Sequence, residues 1–197
     1  MNDIKNNKII LASKSPRRKE LLETAGFETI IVPSEADEDI DEKDPAELVK
    51  KLSLIKATSV FECEKSKGNI KAEDIVLGAD TVVYAGGSIL GKPTDKNDAR
   101  NMIKMLSGNV HSVFTGFTLC IGDGRIITDY SETKVYVYSI TDEEVEEYIN
   151  SDEPYDKAGA YGIQGLFGKF VERIDGDYQN VVGLPVSKIV HSIKKVM

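Results

Sequence analysis

Cysteine and histidine are scarce in this chain. Its 197 residues hold two cysteines, Cys63 and Cys120, and two histidines, His111 and His191. None of the four stands at metal-ligand spacing from another, so no zinc motif is formed. The cysteines read as two free thiols in a reducing compartment. Long apolar runs are also missing, and none approaches the ~20 residues that cross a bilayer. The opening stretch MNDIKNN is polar and carries no sign of a secretory signal. A cytoplasmic protein without a membrane partner is the expectation. Positive charge is in deficit: 25 Lys and Arg stand against 33 Asp and Glu, a net charge of −8. A nucleic-acid binder usually shows a basic face, so no nucleic-acid partner is expected. The phosphate loop GxxxxGK[ST] is absent as well, and there are no internal repeats and no disordered linker.

What is present is an interleaving of strand and helix patterns. KIILA (8–12) reads as a buried strand. SPRRKELL then opens a helix over 16–25, with Ser15 as N-cap, Pro16 at the first helical position and Gly26 as the stop. Leu21, Leu22 and Ala25 form its apolar face. ETIIVPS (28–34) is a second strand, followed by an acidic loop over 35–44. Asp44, Pro45 and Glu47 start a helix running to about Phe61, and CEKSKGNIKAED is a polar surface connection. IVLGADTVVYAGGSIL (75–90) is a central strand, a Gly-Gly turn and a return strand. A helix with Ala99, Met102, Ile103 and Leu106 on one face comes next. Two long strands joined at GDG follow, then a helix opened by the capping box Thr141–Glu144. NSDEPYDKAGAYGIQGLFG is a Gly-rich loop, KFVERI a short strand, and LPVSKIVHSIKKV a last helix. Hairpins among alternating strands and helices point to a mixed-sheet α/β fold. The length suits one large domain or two intimate lobes.

Three sets of charged residues sit where simple patterning would not place them. Arg17, Arg18 and Lys19 crowd the positive end of a helix dipole, each at a cost of roughly 0.3–1 kcal/mol. A helix N-terminus is already an anion site, and two arginines strengthen it; the alternative is a solvated basic patch. Asp80 lies among uncharged neighbours in IVLGADTVVY. A buried carboxylate needs a partner, a metal or solvent, so Asp80 is either a general base or metal ligand at a strand end, or a structural cap. Lys56 lies on the edge of a stripe formed by Leu48, Val49, Leu52, Ile55 and Val60, and could simply snorkel to water. Together these residues suggest a phosphate-rich substrate and a divalent cation. Glu35, first in the acidic loop, could share the cation with Asp80. Lys92 in LGKP is a further candidate phosphate contact, or else a surface lysine.

LASKSPRRKELL closely resembles the signature of the Maf family of nucleoside triphosphate pyrophosphatases. The resemblance runs through VPSEADE (32–38), Lys56, VLGADTVV (76–83), LGKP (90–93), HSVFTG (111–116), YDKAGAYGIQG (155–165) and GDYQNVVGLP (176–185). It implies one Maf-like domain over 1–197, with an elongated, two-lobed α/β fold similar to inosine triphosphate pyrophosphatases. In that fold a mixed sheet is flanked by helices and the active site lies in the cleft between the lobes. It implies cleavage of a nucleoside triphosphate to monophosphate and pyrophosphate with Mg²⁺ or Mn²⁺, and a homodimer. DKAGAYGIQG resembles the branch acting on dTTP, UTP and modified pyrimidine nucleotides. On that pattern Asp80 is the catalytic base, and Glu35 and Asp80 hold the metal. Ser13, Arg18, Lys56 and Lys92 bind the triphosphate, and Arg17, Thr81 and Gln164 set specificity. A buried Gln164 amide could match the carbonyl and N–H edge of uracil or thymine, and glycines 159, 162, 165 and 168 would let the backbone approach the base. The alternatives are the same chemistry on a purine such as 7-methyl-GTP, or a non-catalytic regulator of septum formation.

Overall fold

The computed structural model describes residues 8–196; the polar MNDIKNN stretch lies outside the described residues. The elements in order are β1 (Lys8–Leu11), α1 (Pro16–Thr24), β2 (Glu28–Ile31), α2 (Pro45–Ser66), β3 (Ile75–Ala85), β4 (Ser88–Leu90), α3 (Lys96–Leu106), β5 (Val110–Ile121), β6 (Ile126–Val137), α4 (Asp142–Ile149), β7 (Val171–Asp175), α5 (Tyr178–Val182) and α6 (Val186–Lys194). Short 3₁₀ turns occupy Pro154–Asp156, Ala158–Ala160 and Leu166–Phe170. The strands form one seven-stranded sheet in the order β2-β1-β3-β5-β6-β7, with β4 paired to β3. β1 runs parallel to both β2 and β3, whereas β3–β4 and β6–β7 are antiparallel. The mixed α/β sheet flanked by helices expected from the pattern is therefore present.

The chain divides into two units. The first takes the chain up to Asp80, Thr115–Ser131 and the chain from Gly183 onward; the second takes Thr81–Phe114 and Glu132–Val182.

In the first unit, strand alternation sorts side chains to two faces. Ile9, Leu11, Ile75, Leu77 and Ala79 pack with Leu22 of α1 and Ile189 and Ile193 of α6. Ile10, Ala12 and Val76 pack with Ala57, Val60 and Phe61 of α2. Gly78 belongs to this second face, and a Cβ there would stand 2.3 Å from the Ser53 carbonyl oxygen and 2.6 Å from Ala57 N. Gly116 on β5 plays the same part, with a Cβ falling 2.2 Å from the Val49 carbonyl oxygen. Two glycines thus seat α2 directly on the sheet, and Ser53 Oγ meets Thr118 Oγ1 at 3.0 Å beside them. The helix runs to Ser66 rather than Phe61. Its last turns are retained because Glu64, buried on the sheet side, accepts from Lys67 Nζ and Asn69 Nδ2 at 2.8 and 2.7 Å.

The second unit is cored by α3 and α4. Ala99, Met102, Ile103 and Leu106, the face expected of α3, are all buried, together with Val145 and Ile149 of α4. The Thr141–Glu144 capping box forms. The Gly-rich segment is more deeply packed than a loop reading suggests: Tyr161, Phe167 and Phe170 are buried, with the Tyr161 and Phe167 rings 4.6 Å apart. α5 carries no distinct periodic signal in the sequence; its buried Asn180 donates to the Val113 carbonyl at 3.0 Å.

His111 Nε2 meets the Tyr161 hydroxyl at 2.7 Å, and its Nδ1 is buried with no hydrogen-bond partner. Burial pushes the imidazole down from 6.5 to about 4. Between these values the unfolded chain binds a proton that the folded chain excludes. The stability contributed is therefore full above pH 6.5 and is lost as pH falls towards 4, up to about 3 kcal/mol. Thermal unfolding from pH 7 to pH 4 checks this. His111→Gln, which keeps a polar contact without titrating, should lose distinctly less stability on acidification than the wild type; an equal loss would assign the acid sensitivity to other groups.

Candidate active site

The N-terminal turn of α1 and the middle of β3 are joined by one side chain, Arg18. Ser15 caps α1 by accepting from Arg18 N at 3.4 Å, with Pro16 at the first position, as the sequence suggests. The guanidinium then turns back to the sheet. Nε donates to the Gly183 carbonyl at 2.9 Å, and Nη1 donates to the Ala79 carbonyl at 2.9 Å and to Ser13 Oγ at 3.1 Å. Ser13, buried at the end of β1, also accepts from Ser15 N at 3.2 Å. Arg18 is thus not part of a solvated basic patch; three built-in acceptors offset the cost of a cation at the dipole's positive end. Burial lowers its pKa, while the charge of Asp80 raises it and Arg17 opposes it. Arg17 is half-buried beside it, and Lys19 is an exposed partner of Glu23 at 3.5 Å.

Asp80 lies in the interior of β3, not at a strand end. Two residues beyond Gly78, it faces the α2 side of the sheet. Because Gly78 lets α2 lie close, Lys56 reaches it: Nζ donates to Asp80 Oδ1 at 2.6 Å. The two side chains are only 11% and 16% exposed. Lys56 therefore does not snorkel, and Asp80 does not cap a turn. Lys56 Nζ also pairs with Glu38 Oε2 at 2.9 Å. Glu35, expected to share a cation with Asp80, is exposed, as is Glu38, which makes the contact with Lys56. The missed signal was position relative to Lys56, which an irregular loop hides from any periodicity argument.

The remaining residues singled out by sequence belong to the second unit. Thr81 is half-buried in β3, and Lys92 and Gln164 are exposed. Gln164 is thus not a buried amide in the free protein, and a base would have to cover it. The four glycines around it are filled by the chain itself. A Cβ at Gly159 would lie 2.8 Å from Val83 Cγ2, at Gly162 2.8 Å from Lys157, at Gly165 2.2 Å from Glu153 Oε2, and at Gly168 2.7 Å from the Ile163 carbonyl oxygen. Close internal packing, rather than room for a base, accounts for them.

Among the described residues, no group of three or more His, Cys, Asp or Glu comes together to hold a metal. The carboxylates of Asp80 and Glu38, both paired with Lys56, fit a hard cation that completes its shell with water and substrate phosphate.

An arginine-braced helix N-terminus thus stands near a lysine-held aspartate on a mixed α/β sheet. The chain belongs to the Maf family: the family model for Maf-like protein matches residues 8–196. A dTTP/UTP pyrophosphatase of Thermoanaerobacter sp. (strain X514) is 47% identical over 189 residues, covering 95% of this chain and 96% of the relative. One of Agathobacter rectalis is 46% identical over 200 residues, covering 96% and 98%. Among solved structures, the Staphylococcus aureus Ham1 protein covers 96% of this chain and 100% of its own, at 11% identity and a TM-score of 0.48.

The double use of Arg18 is testable. Arg18→Lys removes the fork that serves Ala79 and Gly183, and should lower the unfolding free energy by about 1–3 kcal/mol. Urea unfolding measures it, and wild-type stability in this variant would contradict the bracing role.

Proposed function

We propose that this chain hydrolyses dTTP and UTP to the nucleoside monophosphate and pyrophosphate. The observation that carries the chemistry is the Lys56–Asp80 pair between α2 and β3, next to the carbonyl-bound Arg18. The pyrimidine substrates follow from relatives of 46–47% identity, matched over nearly their whole length, that are named dTTP/UTP pyrophosphatases.

In the proposed mechanism, Ser13, Arg18, Lys56 and the first N–H groups of α1 bind the triphosphate, and the family pattern adds Lys92. Their positive charge opposes the negative charge that develops on the phosphoryl oxygens. Asp80 accepts the proton of the water that attacks the α-phosphorus; the α–β anhydride bond breaks and pyrophosphate leaves. Glu35 and Asp80 would hold a divalent cation, with Glu38 an added candidate from its contact with Lys56. When bound, the cation supplies charge neutralisation at phosphate and a lowered pKa for coordinated water. Arg17, Thr81 and Gln164 choose the base. The amide of Gln164 offers both a donor and an acceptor, and leaving it unpaired against the wrong base penalises that substrate. The unpaired thiols of Cys63 and Cys120 suit a reducing compartment, and no helix among the described residues is long and apolar enough to cross a membrane. We place the enzyme in the cytoplasm.

Pyrophosphate release with Mg²⁺ or Mn²⁺ across dTTP, UTP, CTP, dATP, GTP, ITP and 7-methyl-GTP tests this reading. Turnover should strongly favour dTTP and UTP over every other nucleotide and should fall by about 10³-fold or more in Asp80→Asn. A near-normal rate in that variant at saturating metal would overturn the role of Asp80. Turnover of a purine alone would keep the chemistry and overturn the substrate.

A further inference from the structure

Gln164 sits on a turn whose own chemistry gives it little stiffness. Gly165 N donates to the Gly162 carbonyl at 3.2 Å, so Ile163 and Gln164 are the two corner residues. Both ends of the turn are glycine, the residue with the most backbone freedom to lose. Rigidity has to come from outside the turn, and Glu153 supplies it. Its carboxylate accepts from Leu166 N at 2.6 Å, from Phe167 N at 3.3 Å and from the Tyr148 hydroxyl at 3.2 Å. The 3₁₀ turn Leu166–Phe170 has no side-chain cap from its own N-cap residue, so Glu153 acts as a cap brought in from outside the turn. Gly165 makes the approach possible, since any Cβ there would overlap the carboxylate.

Glu153 is itself held. Its N–H donates to Ser151 Oγ at 3.3 Å, and its carbonyl accepts from Lys157 Nζ at 2.7 Å. On the other side of the turn, buried Tyr161 is fixed by His111. The backbone two residues after Gln164 and the side chain three residues before it are therefore both pinned to the scaffold.

We propose that Glu153 is a positioning residue for base selection: by accepting the N–H groups of Leu166 and Phe167 it fixes the turn that presents Gln164. This rests on Gln164 being a base-selecting residue, and it adds how that exposed amide is kept in one place. Loss of the cap leaves the groups assigned to phosphate and water untouched and lets the amide wander. Misplacement by about 1 Å is enough to erase most of a hydrogen-bond-based preference.

The test is Glu153→Gln, made in the wild type and in Gln164→Ala, with kcat and KM measured for UTP and CTP at saturating Mg²⁺. In the wild type, the KM for UTP should rise about tenfold with kcat held within about twofold, and the UTP preference over CTP should fall about tenfold. In the Gln164→Ala background, Glu153→Gln should leave the preference unchanged, because the two act in series. Hydrogen exchange at the Leu166 and Phe167 amides should quicken. Should Glu153→Gln fail to fold, Gly165→Ala displaces the same carboxylate and should move the preference in the same direction. A preference that falls in Gln164→Ala but is unmoved in Glu153→Gln overturns the positioning role and spares the reading of Gln164. A preference unmoved in Gln164→Ala overturns both. A lowered melting temperature with KM and preference intact marks Glu153 as structural only, and also overturns the proposal.

Discussion

The contact between Lys56 and Asp80 depends on a missing side chain. A carboxylate in the interior of a strand, with no charged residue elsewhere on that strand, has to be neutralised where it stands. Gly78, two residues earlier on the same face, lets α2 touch the strand backbone. That closeness, repeated at Gly116, puts Lys56 within 2.6 Å of Asp80. A larger residue at 78 would lift the helix off the sheet and leave Asp80 without its cation. Geometry and electrostatics here form a single constraint, because the glycine has value only through the charge pair it permits.

Arg18 applies the same logic one residue away on the same strand. Three cations at a helix N-terminus look like a design error when only the dipole is considered. The structure separates them. Arg18 is spent on two carbonyls and a serine hydroxyl, Arg17 is half-buried next to it, and Lys19 lies on the surface with Glu23. The Ala79 carbonyl that Arg18 holds belongs to the residue just before Asp80, so the arginine positions the very strand segment that carries the carboxylate. A phosphate at this turn would meet a site whose side chains are already arranged by protein–protein hydrogen bonds, which is the condition for strong electrostatic stabilisation.

How much of this was legible in the sequence follows from the kind of signal each feature leaves. Asp80, Lys56 and Arg18 stood out because each breaks a local pattern, and the structure brings all three into contact or near contact within one unit. The α3 face and the Thr141–Glu144 box were legible because period and capping are local properties. The contact between Lys56 and Glu38 was not, since an irregular acidic segment carries no period that marks which of its carboxylates faces a helix. The end of α2 was hidden by a polar composition in which Glu64 is buried and accepts from Lys67 and Asn69 just past the helix end. The evenly spaced glycines from 159 to 168 suggested room for a ligand, but the atoms that fill that room come from Val83, Lys157 and Glu153, a tertiary fact that no spacing encodes.

The central claim is that the Lys56–Asp80 pair is kept for the reaction and not for the fold. The most direct measurement compares urea unfolding and UTP hydrolysis for Lys56→Met, Asp80→Val and the double variant. A pair this sheltered is costly to break and cheap to replace. The account predicts that Lys56→Met alone loses about 2–4 kcal/mol, that the double variant regains wild-type stability or better, and that both are inactive. A double variant that stays several kcal/mol below the wild type, or one that still hydrolyses UTP, would contradict it.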